Sequence, residues 1–376
     1  MKVVMDTGCH AASLAVKSAK VDVVAGYPIT PQTSVVEEIS SMVETGELDC
    51  KFLPVEGEHS VMAACAAASA TGARVFTATA SQGLLYMAEV LHMVAGGRLP
   101  VVLANVNRAV MAPWSIWGDQ QDALSQRDCG WIQLYCASVQ EIYNTILQAF
   151  RIAETVKIPT MVNFDGFILS HCMMPIAILD DDMVEKFLPD YDPTWRLDPE
   201  NPTSFSNVTG PEEYIHYRQA LADDLLAAIP VVKEAAKDYK EITGMWDGDV
   251  VVPYRLEDAE YVAFSMGSMA AEMEMAVDRL REQGHKVGAL RLRLYRPFPA
   301  EDIAAALPKQ AKVLVFDRDF CFGMKHGIVY NELNAVLKDL RPDVAVDGII
   351  CGIGGIDINW SDMEQDILAW MKGGAK

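Results

Sequence analysis

A run of the type Gly-Tyr-Pro-Ile-Thr-Pro at residues 26–31 carries the first side chain in this sequence that could do chemistry. The run follows an apolar segment, Val21–Ala25, that is typical of a strand. Proline restricts the backbone to a turn here, and the ends of strands are where α/β proteins place binding residues. The hydroxyl of Thr30, held between two prolines, is therefore predicted to be a preset hydrogen-bond donor. A second proline-rich run, Tyr-Arg-Pro-Phe-Pro, follows at residues 295–299.

The second candidate is Arg108, which lies near the start of a loop, residues 107–122, that is rich in Trp, Met and Pro. An arginine fork binds a carboxylate through two parallel hydrogen bonds, and apolar surroundings that exclude water strengthen that contact. The alternative is that Arg108 forms an ion pair with Asp119 or Asp122 and holds the loop. The spacing alone does not decide between these two roles.

Two carboxylates, Glu56 and Glu58, lie between a short predicted strand and a helix made almost entirely of small residues. A carboxyl group that faces a bound ligand can transfer a proton or act as a nucleophile. Like charges two residues apart usually face water on a loop. The sequence by itself therefore favours an exposed pair.

The elements that would position these side chains alternate between strands and helices over residues 1–170. Apolar patterns predict strands over Val21–Tyr27, Lys51–Val55, Arg74–Ala80, Pro100–Val106 and Pro159–Phe164, and helices over Ser34–Glu44, His59–Thr71, Leu84–Val94 and Ser138–Thr155. Residues 81–83 are predicted to be a tight turn. The small-residue helix should lie buried against the sheet or against a partner subunit.

The pattern loosens over residues 173–255, where one long helix, Glu212–Tyr239, is predicted with a kink or break at Pro230. Strands and helices then resume, with strands over Glu260–Met266, Lys286–Tyr295 and Lys312–Phe316 and helices over Met269–Gln283 and Glu301–Leu307. We therefore predict a first α/β domain over residues 1–240, ending in a helical arm, and a smaller α/β domain over residues 256–376.

Composition restricts the class of partner. The chain has 376 residues, of which 51% are hydrophobic and 22% charged, and a formal net charge of −21. Such a surface repels nucleic acid and is a poor docking site for an acidic electron carrier. No apolar run reaches the roughly 20 residues that span a bilayer, so we expect no membrane segment and a cytoplasmic protein. The eight cysteines are scattered without a Cys-x-x-Cys, so no metal or cluster is expected in this chain.

The two proline-rich runs, the arginine loop and the acidic pair resemble the α subunit of pyruvate:ferredoxin oxidoreductase and of related 2-oxoacid:ferredoxin oxidoreductases. The resemblance covers nearly the whole chain. It implies a doubly wound, mostly parallel domain of the kind that binds the pyrimidine end of thiamine diphosphate. A smaller α/β domain that is similar to the C-terminal domain of transketolase should follow.

The resemblance also implies roles for individual residues. Thr30 and Arg108 match residues that bind the carboxylate of a 2-oxoacid. Glu58 matches the glutamate that contacts N1′ of the aminopyrimidine and activates the cofactor, with Glu56 as the fallback. The full cofactor-binding set that it implies is Glu58, Pro28, Ile29, Ser81 and Gln82. Weaker matches are the strand-end segment Asp165–Phe167, and His171 as a structural residue.

A diphosphate-binding Gly-Asp-Gly run is absent from this sequence. The resemblance therefore implies that thiamine diphosphate is shared with a β subunit, which would supply the diphosphate half of the site and Mg²⁺. The [4Fe–4S] clusters would lie in partner subunits, and the complex would contain β, γ and δ chains. Ferredoxin would dock on one of those partners.

The function implied is oxidation of pyruvate with coenzyme A to acetyl-CoA and CO₂, with electrons passing to ferredoxin. The alternative within the family is another 2-oxoacid, either branched-chain or 2-oxobutyrate. Two further hypotheses remain open from the residues alone. One is a CoA transferase with Glu56 or Glu58 as the nucleophile, and the other is a non-catalytic scaffold.

Overall fold

The computed structural model describes residues 1–373, which form two mostly parallel sheets with flanking helices and one small ribbon. The strands are β1 (Lys2–Asp6), β2 (Val23–Gly26), β3 (Lys51–Pro54), β4 (Val75–Thr79), β5 (Val102–Asn107), β6 (Ile132–Tyr135), β7 (Thr160–Asp165), β8 (Met174–Ile178), β9 (Val251–Tyr254), β10 (Tyr261–Met266), β11 (Val287–Leu292), β12 (Leu294–Arg296), β13 (Lys312–Asp317) and β14 (Ala345–Ile350). The predicted α/β class is confirmed.

The helices are named in the same way, in chain order. They are α1 (Gly8–Ser18), α2 (Thr33–Glu44), α3 (Glu58–Ala70), α4 (Ser81–Tyr86), α5 (Ala88–Gly96), α6 (Gln121–Ser125), α7 (Val139–Val156), α8 (Asp181–Phe187), α9 (Pro211–Thr243), α10 (Met269–Glu282), α11 (Ala300–Ala306), α12 (Ile328–Leu340) and α13 (Trp360–Met371). None of the helices within residues 1–373 combines the length and apolar character that crossing a bilayer requires.

The first sheet has seven strands in the order β12-β6-β7-β5-β4-β2-β3, and only β12 runs antiparallel to its neighbour. Every residue of β4, β5, β6 and β7 is buried, because helices cover both faces of a parallel sheet. In the register, Asn107 pairs with Asp165, so β5 and β7 end side by side. The residues that follow these strands are thereby brought to one edge of the sheet.

Helix α3 is the small-residue helix that the sequence predicts over His59–Thr71. It packs on β2 and β4 through a stripe that includes Val61, Cys65 and Ala66, while Ala63 and Ala67 face solvent. Small side chains bring its axis close to the sheet, so the expected burial against the sheet is confirmed.

The first twenty residues form structure that the sequence pattern did not indicate. Strand β1 pairs antiparallel with β8 as an isolated two-stranded ribbon, and α1 follows with the Thr7 hydroxyl capping its first turn at His10 N. Helix α1 packs against α2 and α7 through alanines that are fully buried. Its alanine-rich face gives only a weak periodic pattern, so the sequence does not predict this helix.

The loosely patterned middle segment contains two strands, β8 and β9, besides the predicted long helix. Helix α9 runs on through Pro230 as one element of 33 residues, so the predicted kink does not end it. Its first turns are exposed, and its later turns pack on α7 and α8. Strand β9 is the antiparallel edge of the second sheet, whose order is β14-β13-β10-β11-β9.

The single strand predicted over Lys286–Tyr295 is wrong, because the structure divides it between the two sheets. Strand β11 lies in the second sheet, and β12 crosses to pair with β6 in the first sheet. Arg293, between them, is fully buried and donates to Glu141 Oε1 on α7 at 2.9 Å. The proline-rich run at residues 295–299 thus begins on a strand that joins the two halves of the molecule.

Candidate functional site

The predicted site residues lie at the carboxyl-terminal edge of the first sheet, because each follows the end of a parallel strand. Thr30 follows β2, Glu58 follows β3, the pair Ser81 and Gln82 follows β4, and Arg108 follows β5. These strands are consecutive neighbours in the order β5-β4-β2-β3. Crevices at this edge are where open α/β sheets bind ligands.

Glycines bring the strand-end loops into close contact. A Cβ on Gly166, after β7, would lie 2.5 Å from the carbonyl oxygen of Asn107 and 2.9 Å from Pro31 Cγ. A Cβ on Gly118 would lie 2.8 Å from the carbonyl oxygen of Gly166. The loops after β2, β5 and β7 therefore meet without side chains between them, and any larger residue at these glycines would separate them.

Arg108 is buried, with 4% of its surface exposed, and two carbonyl oxygens hold its guanidinium. Its Nη1 donates to the Thr30 carbonyl at 2.9 Å, and its Nε donates to the Ser115 carbonyl at 3.2 Å. Within residues 1–373 the guanidinium makes no ion pair with a carboxylate. Burial lowers the pKa of Arg108, and the nearby Asp122 carboxylate acts in the opposite direction. Arg108 is therefore a desolvated cation without an anion in direct contact. An anionic ligand could balance its positive charge.

Asp122 holds the backbone around Arg108 rather than its guanidinium. Its buried carboxylate accepts hydrogen bonds from the backbone N–H of Ser81 and of Arg108, each at 3.0 Å, and from the side-chain amide of Asn107 at 2.8 Å. The ion pair between Arg108 and Asp119 or Asp122 that the sequence left open is therefore not formed. Asp122 instead joins the ends of β4 and β5, which fixes where Arg108 leaves the sheet.

Thr30 presents its side chain to solvent while its carbonyl binds Arg108. The hydroxyl of Thr30 makes no hydrogen bond with any described residue, and it remains available to a ligand. The turn is held from behind by the buried side chain of Gln32, whose Oε1 accepts from Ile29 N at 3.3 Å. Pro28 is exposed and Ile29 is half-buried at the same edge.

The two acidic residues before α3 have different surroundings. Glu58 begins the helix and is 8% exposed, whereas Glu56 is exposed and accepts a hydrogen bond of 2.6 Å from the Ser60 hydroxyl. That hydrogen bond lowers the pKa of Glu56. A Cβ on Gly83 would lie 2.6 Å from Glu58 Oε1, so the absence of a side chain there makes room for the carboxylate. The geometry favours Glu58 over Glu56 as the group that meets a ligand.

Two buried polar atoms, on residues at the end of β4 and the start of α4, have no hydrogen-bond partner within the described residues. They are Thr79 Oγ1 and Gln82 Nε2. Thr79 ends β4, and its hydroxyl would lie 2.5 Å from a Cβ on Gly83. Unpaired buried polar groups are costly, so their presence together at a strand end indicates a site for a polar ligand. A carboxylate, a hydroxyl and an amide around a glycine fit the polar edge of an aminopyrimidine ring.

Thr79 is a residue that sequence reasoning missed. It is the last residue of the strand sequence Val-Phe-Thr-Ala-Thr, and a threonine hydroxyl in such a place often donates a hydrogen bond to a backbone carbonyl. Thr77, two residues earlier in the same strand, donates such a hydrogen bond to the carbonyl of Ala25 at 2.8 Å. The position at the strand end, next to a glycine turn, was the available signal.

Ser81 has its hydroxyl in use within the chain. It is fully buried with φ of +49°, and its Oγ lies 2.6 Å from the Ala109 carbonyl and 2.7 Å from Gln82 Oε1. The predicted turn over residues 81–83 is wrong in one respect, because these residues form the first turn of α4. Ser81 joins the loops after β4 and β5, while the amide nitrogen of Gln82 has no hydrogen-bond partner among residues 1–373.

Aromatic side chains line the outer rim of the site. The ring of Phe167 lies 4.6 Å from that of Trp117 and 4.9 Å from that of His171. The Nδ1 of His171 is 2.7 Å from the Ser170 hydroxyl, and burial together with His10 lowers the pKa of His171. This arrangement fits the structural role expected for His171.

The loop after Arg108 is more open than the sequence suggested. Trp114 is 74% exposed, and Met111 and Trp117 are about half exposed. These side chains therefore do not exclude water within this chain, although the guanidinium itself is buried. An apolar loop of this kind beside the site is typical of a surface that a partner covers.

Asp165, the last residue of β7, connects the two sheets instead of facing the crevice. Its Oδ2 accepts from Ser268 N at 2.7 Å, and its Oδ1 lies 3.3 Å from Nη1 of Arg318. Gly267 has φ of +66°, and a Cβ there would lie 2.6 Å from Asp165 Oδ2. The strand-end segment that the sequence singled out thus fixes the second sheet beside the site.

Comparisons with known proteins agree with this architecture. Residues 14–237 match the family model described as pyruvate flavodoxin/ferredoxin oxidoreductase, thiamine diphosphate-binding, and residues 259–363 match pyruvate:ferredoxin oxidoreductase core domain II. The chain is 43% identical over 359 residues to the ketoisovalerate oxidoreductase subunit VorA of Pyrococcus abyssi, covering 95% of this chain and 91% of the relative. It is 42% identical over 358 residues to the pyruvate synthase subunit PorA of Methanothermobacter thermautotrophicus, covering 95% and 92%.

Solved structures show the same fold at low identity. The 2-oxoglutarate:ferredoxin oxidoreductase of Magnetococcus marinus superposes with a TM-score of 0.71 at 17% identity, over 97% of this chain and 65% of that chain. A split-gene transketolase superposes with a TM-score of 0.55 at 11% identity, over 97% of both chains. The predicted resemblance is confirmed by the family models and the curated relatives. This chain belongs to the pyruvate:ferredoxin oxidoreductase family, whose members are 2-oxoacid:ferredoxin oxidoreductases of the oxidoreductase class.

Proposed function

We propose that this chain is the α subunit of a pyruvate:ferredoxin oxidoreductase that converts pyruvate and coenzyme A to acetyl-CoA and CO₂ and reduces ferredoxin. The observation that carries the proposal is the buried guanidinium of Arg108. It has no carboxylate partner among the described residues and is bonded to the Thr30 carbonyl at 2.9 Å. A small carboxylate would balance this charge and would also meet the Thr30 hydroxyl.

Arg108 and Thr30 would bind and orient the carboxylate of the substrate. Because the guanidinium is already desolvated and held by two carbonyls, little reorganisation is needed when the anion binds. The fork of Arg108 would fix the plane of the carboxylate and so the direction of the bond that breaks when CO₂ leaves. Burial makes these hydrogen bonds stronger than they would be in water.

Glu58 would hold a proton at its Oε1 against the pyrimidine nitrogen of thiamine diphosphate, beside the Gly83 gap. When bound, this cofactor supplies the nucleophilic carbon that attacks the ketone of the substrate. Thr79 and Gln82 would bind polar atoms of the same ring with their unpaired hydroxyl and amide. Pro28, Ile29 and Ser81, the other predicted cofactor-binding residues, would shape the walls of that crevice.

The complex that we propose contains β, γ and δ partners. The β subunit would hold the diphosphate and Mg²⁺, because this chain has no diphosphate motif, and it would cover the exposed loop that carries Trp114. Partner chains would carry the [4Fe–4S] clusters. Ferredoxin would dock on one of them, since the net charge of −21 on this chain repels an acidic carrier. The cytoplasmic location stays a prediction.

The main alternative is a branched-chain 2-oxoacid or 2-oxobutyrate. Overall identity does not decide, because relatives named for ketoisovalerate and for pyruvate are 43% and 42% identical to this chain. We favour pyruvate because the tilted rings of Phe167, which follows β7, and Trp117 lie 4.6 Å apart and would crowd a branched side chain more than a methyl group.

The experiment is anaerobic purification of the complex from its native cell, followed by viologen reduction assays with and without coenzyme A. Pyruvate, 2-oxobutyrate and 2-ketoisovalerate would be compared as substrates. The proposal expects the highest kcat/KM for pyruvate and dependence on coenzyme A. A higher kcat/KM for 2-ketoisovalerate would move the specificity to branched-chain acids, and no reduction with any of the three acids would contradict the proposed reaction.

A further inference from the structure

A cavity of about 280 Å³ opens at the amino-terminal edge of the first sheet, away from the proposed reaction site. Pro100, which precedes β5, lies in its wall, whereas Arg108 follows the same strand. The six residues of β5 separate the two ends by about 20 Å at roughly 3.3 Å per residue. The cavity is therefore not part of the site already described.

The outer wall of the cavity is the irregular segment over residues 189–205, which is firmly attached to the sheet. The backbone N–H of Leu197 donates to the Ala70 carbonyl at 2.7 Å, and Nη2 of Arg74 donates to the Pro189 carbonyl at 2.7 Å. This attachment holds three aromatic side chains over the opening. They are Tyr191, Trp195 and Phe205.

Two cations, Arg98 and Lys157, lie in the wall of the cavity, and Lys157 is the left-handed residue that ends α7. Its Nζ donates to the Glu154 carbonyl at 2.7 Å and lies 4.7 Å from the ring centre of Tyr191. The carboxylate of Glu154 is occupied by Arg74, at 2.6 and 2.9 Å. Lys157 thus has no carboxylate partner in the described part of a strongly acidic chain, and burial lowers its pKa.

The other polar groups of the cavity leave the balance of charge positive. Arg98 is paired with Asp224 at 2.6 Å and adds no net charge. Ser69, in the wall, is buried, and its hydroxyl has no hydrogen-bond partner among residues 1–373. Trp195 and Phe205 meet edge to face with 5.8 Å between ring centres, which forms an apolar wall beside these polar groups.

We propose that this cavity binds a small aromatic carboxylate. The carboxylate would lie between Lys157 and the Ser69 hydroxyl, and the ring would pack against Trp195 and Phe205. A flat apolar body matches the aromatic wall, and a single negative charge balances the single unpaired ammonium. This second site is separate from the 2-oxoacid site and does not depend on the reaction that the complex performs.

The test uses the full chain and two probes, phenylacetate and indole-3-acetate, with binding measured by calorimetry and by saturation-transfer NMR. Phenylacetamide keeps the ring without the charge, and acetate keeps the charge without the ring. We expect saturable binding of the two aromatic acids and little binding of either control. Lys157→Met should weaken binding by about tenfold or more, as the loss of a charge-assisted hydrogen bond predicts.

Matched variants separate this cavity from other cations. Trp195→Ala should also weaken binding, whereas Lys237→Met, which removes an exposed lysine on α9, should leave it unchanged. Arg108→Ala should leave it unchanged too, because the 2-oxoacid site lies at the other edge of the sheet. Absence of saturable binding at millimolar concentration would overturn the proposal. So would equal affinity for phenylacetate and phenylacetamide, or binding that Lys157→Met and Trp195→Ala leave intact while the chain stays folded by circular dichroism.

Discussion

Two buried arginines, Arg108 and Arg293, differ in whether a carboxylate pairs with the guanidinium. Arg293 is fully buried at the junction of the sheets, where Glu141, Thr145 and Gln148 accept its hydrogen bonds. Arg108 is 4% exposed at the strand edge, and within residues 1–373 its guanidinium donates to the backbone carbonyls of Thr30 and Ser115 alone.

The two arginines differ in how much unpaired positive charge each offers to a ligand. Glu141 accepts from both Arg291 and Arg293, at 2.6 and 2.9 Å, so a carboxylate already pairs with both of these buried guanidiniums. Such a cluster determines how two domains meet. An arginine that is desolvated but not paired keeps its attraction for an anion. We therefore propose that Arg108 binds a ligand, whereas Arg293 stabilises the junction of the sheets.

The largest expected effect comes from Glu58→Gln. Loss of the carboxyl proton should lower kcat with pyruvate by about 10²- to 10⁴-fold, the usual contribution of a positioned acid or base. The viologen assay on the assembled complex measures it. Glu56→Gln is the matched control and should change kcat by less than about twofold, because Glu56 faces solvent. Near-normal turnover of Glu58→Gln would remove this residue from the mechanism.

Glu141→Gln tests the paired arginines, Arg291 and Arg293. It leaves two buried guanidiniums without their carboxylate and should reduce the free energy of unfolding by about 3–5 kcal/mol. Urea unfolding of the isolated chain would measure the loss, while KM for pyruvate in the complex that still assembles should stay unchanged. An unaltered unfolding midpoint would show that this cluster does not stabilise the fold.

Arg108→Ala tests the unpaired arginine and should change KM for pyruvate much more than it changes stability. Removing the fork should raise KM for pyruvate about a hundredfold, which corresponds to about 3 kcal/mol of lost charge-assisted hydrogen bonding. The unfolding midpoint should change little, because the variant also removes an unbalanced buried charge. Arg108→Lys should give an intermediate KM, since it keeps the charge without the fork. A large loss of stability with unchanged KM would make Arg108 a structural residue.

Asp119, between the site loop and the second sheet, should make the stability of the chain depend on pH. Burial, with the Asp122 carboxylate, raises the pKa of Asp119 from 3.8 to about 7. The folded chain then holds this proton more tightly than the unfolded chain, so the stability it contributes is present below about pH 4 and is lost as pH rises through about 7. Asp119→Asn should remove this pH dependence, so that the unfolding midpoint of the variant changes less than that of the parent chain across that range. Identical pH profiles for the two proteins would contradict the raised pKa.

Local pattern was enough to predict many elements and the identity of the edge residues. Strands such as β5 and β7 are mostly apolar segments that end in a polar residue, so both the strands and the side chains that follow them can be predicted from the sequence. Thr30, Arg108 and Glu58 were named from such positions. The alternation of strands and helices also indicated the α/β class and its mostly parallel sheets.

Contacts between distant segments decided the rest. The sequence favoured an exposed acidic pair, but the close approach of Gly83 leaves Glu58 buried and Glu56 in water. The sequence predicted one strand over Lys286–Tyr295. In the structure the side chain of Arg293 points toward α7 and binds Glu141, and the chain passes from the second sheet to the first at that residue. The sequence therefore determined which side chains stand at the strand ends. Only the tertiary structure decided which of their charges are paired, because burial and pairing depend on segments far apart in the chain.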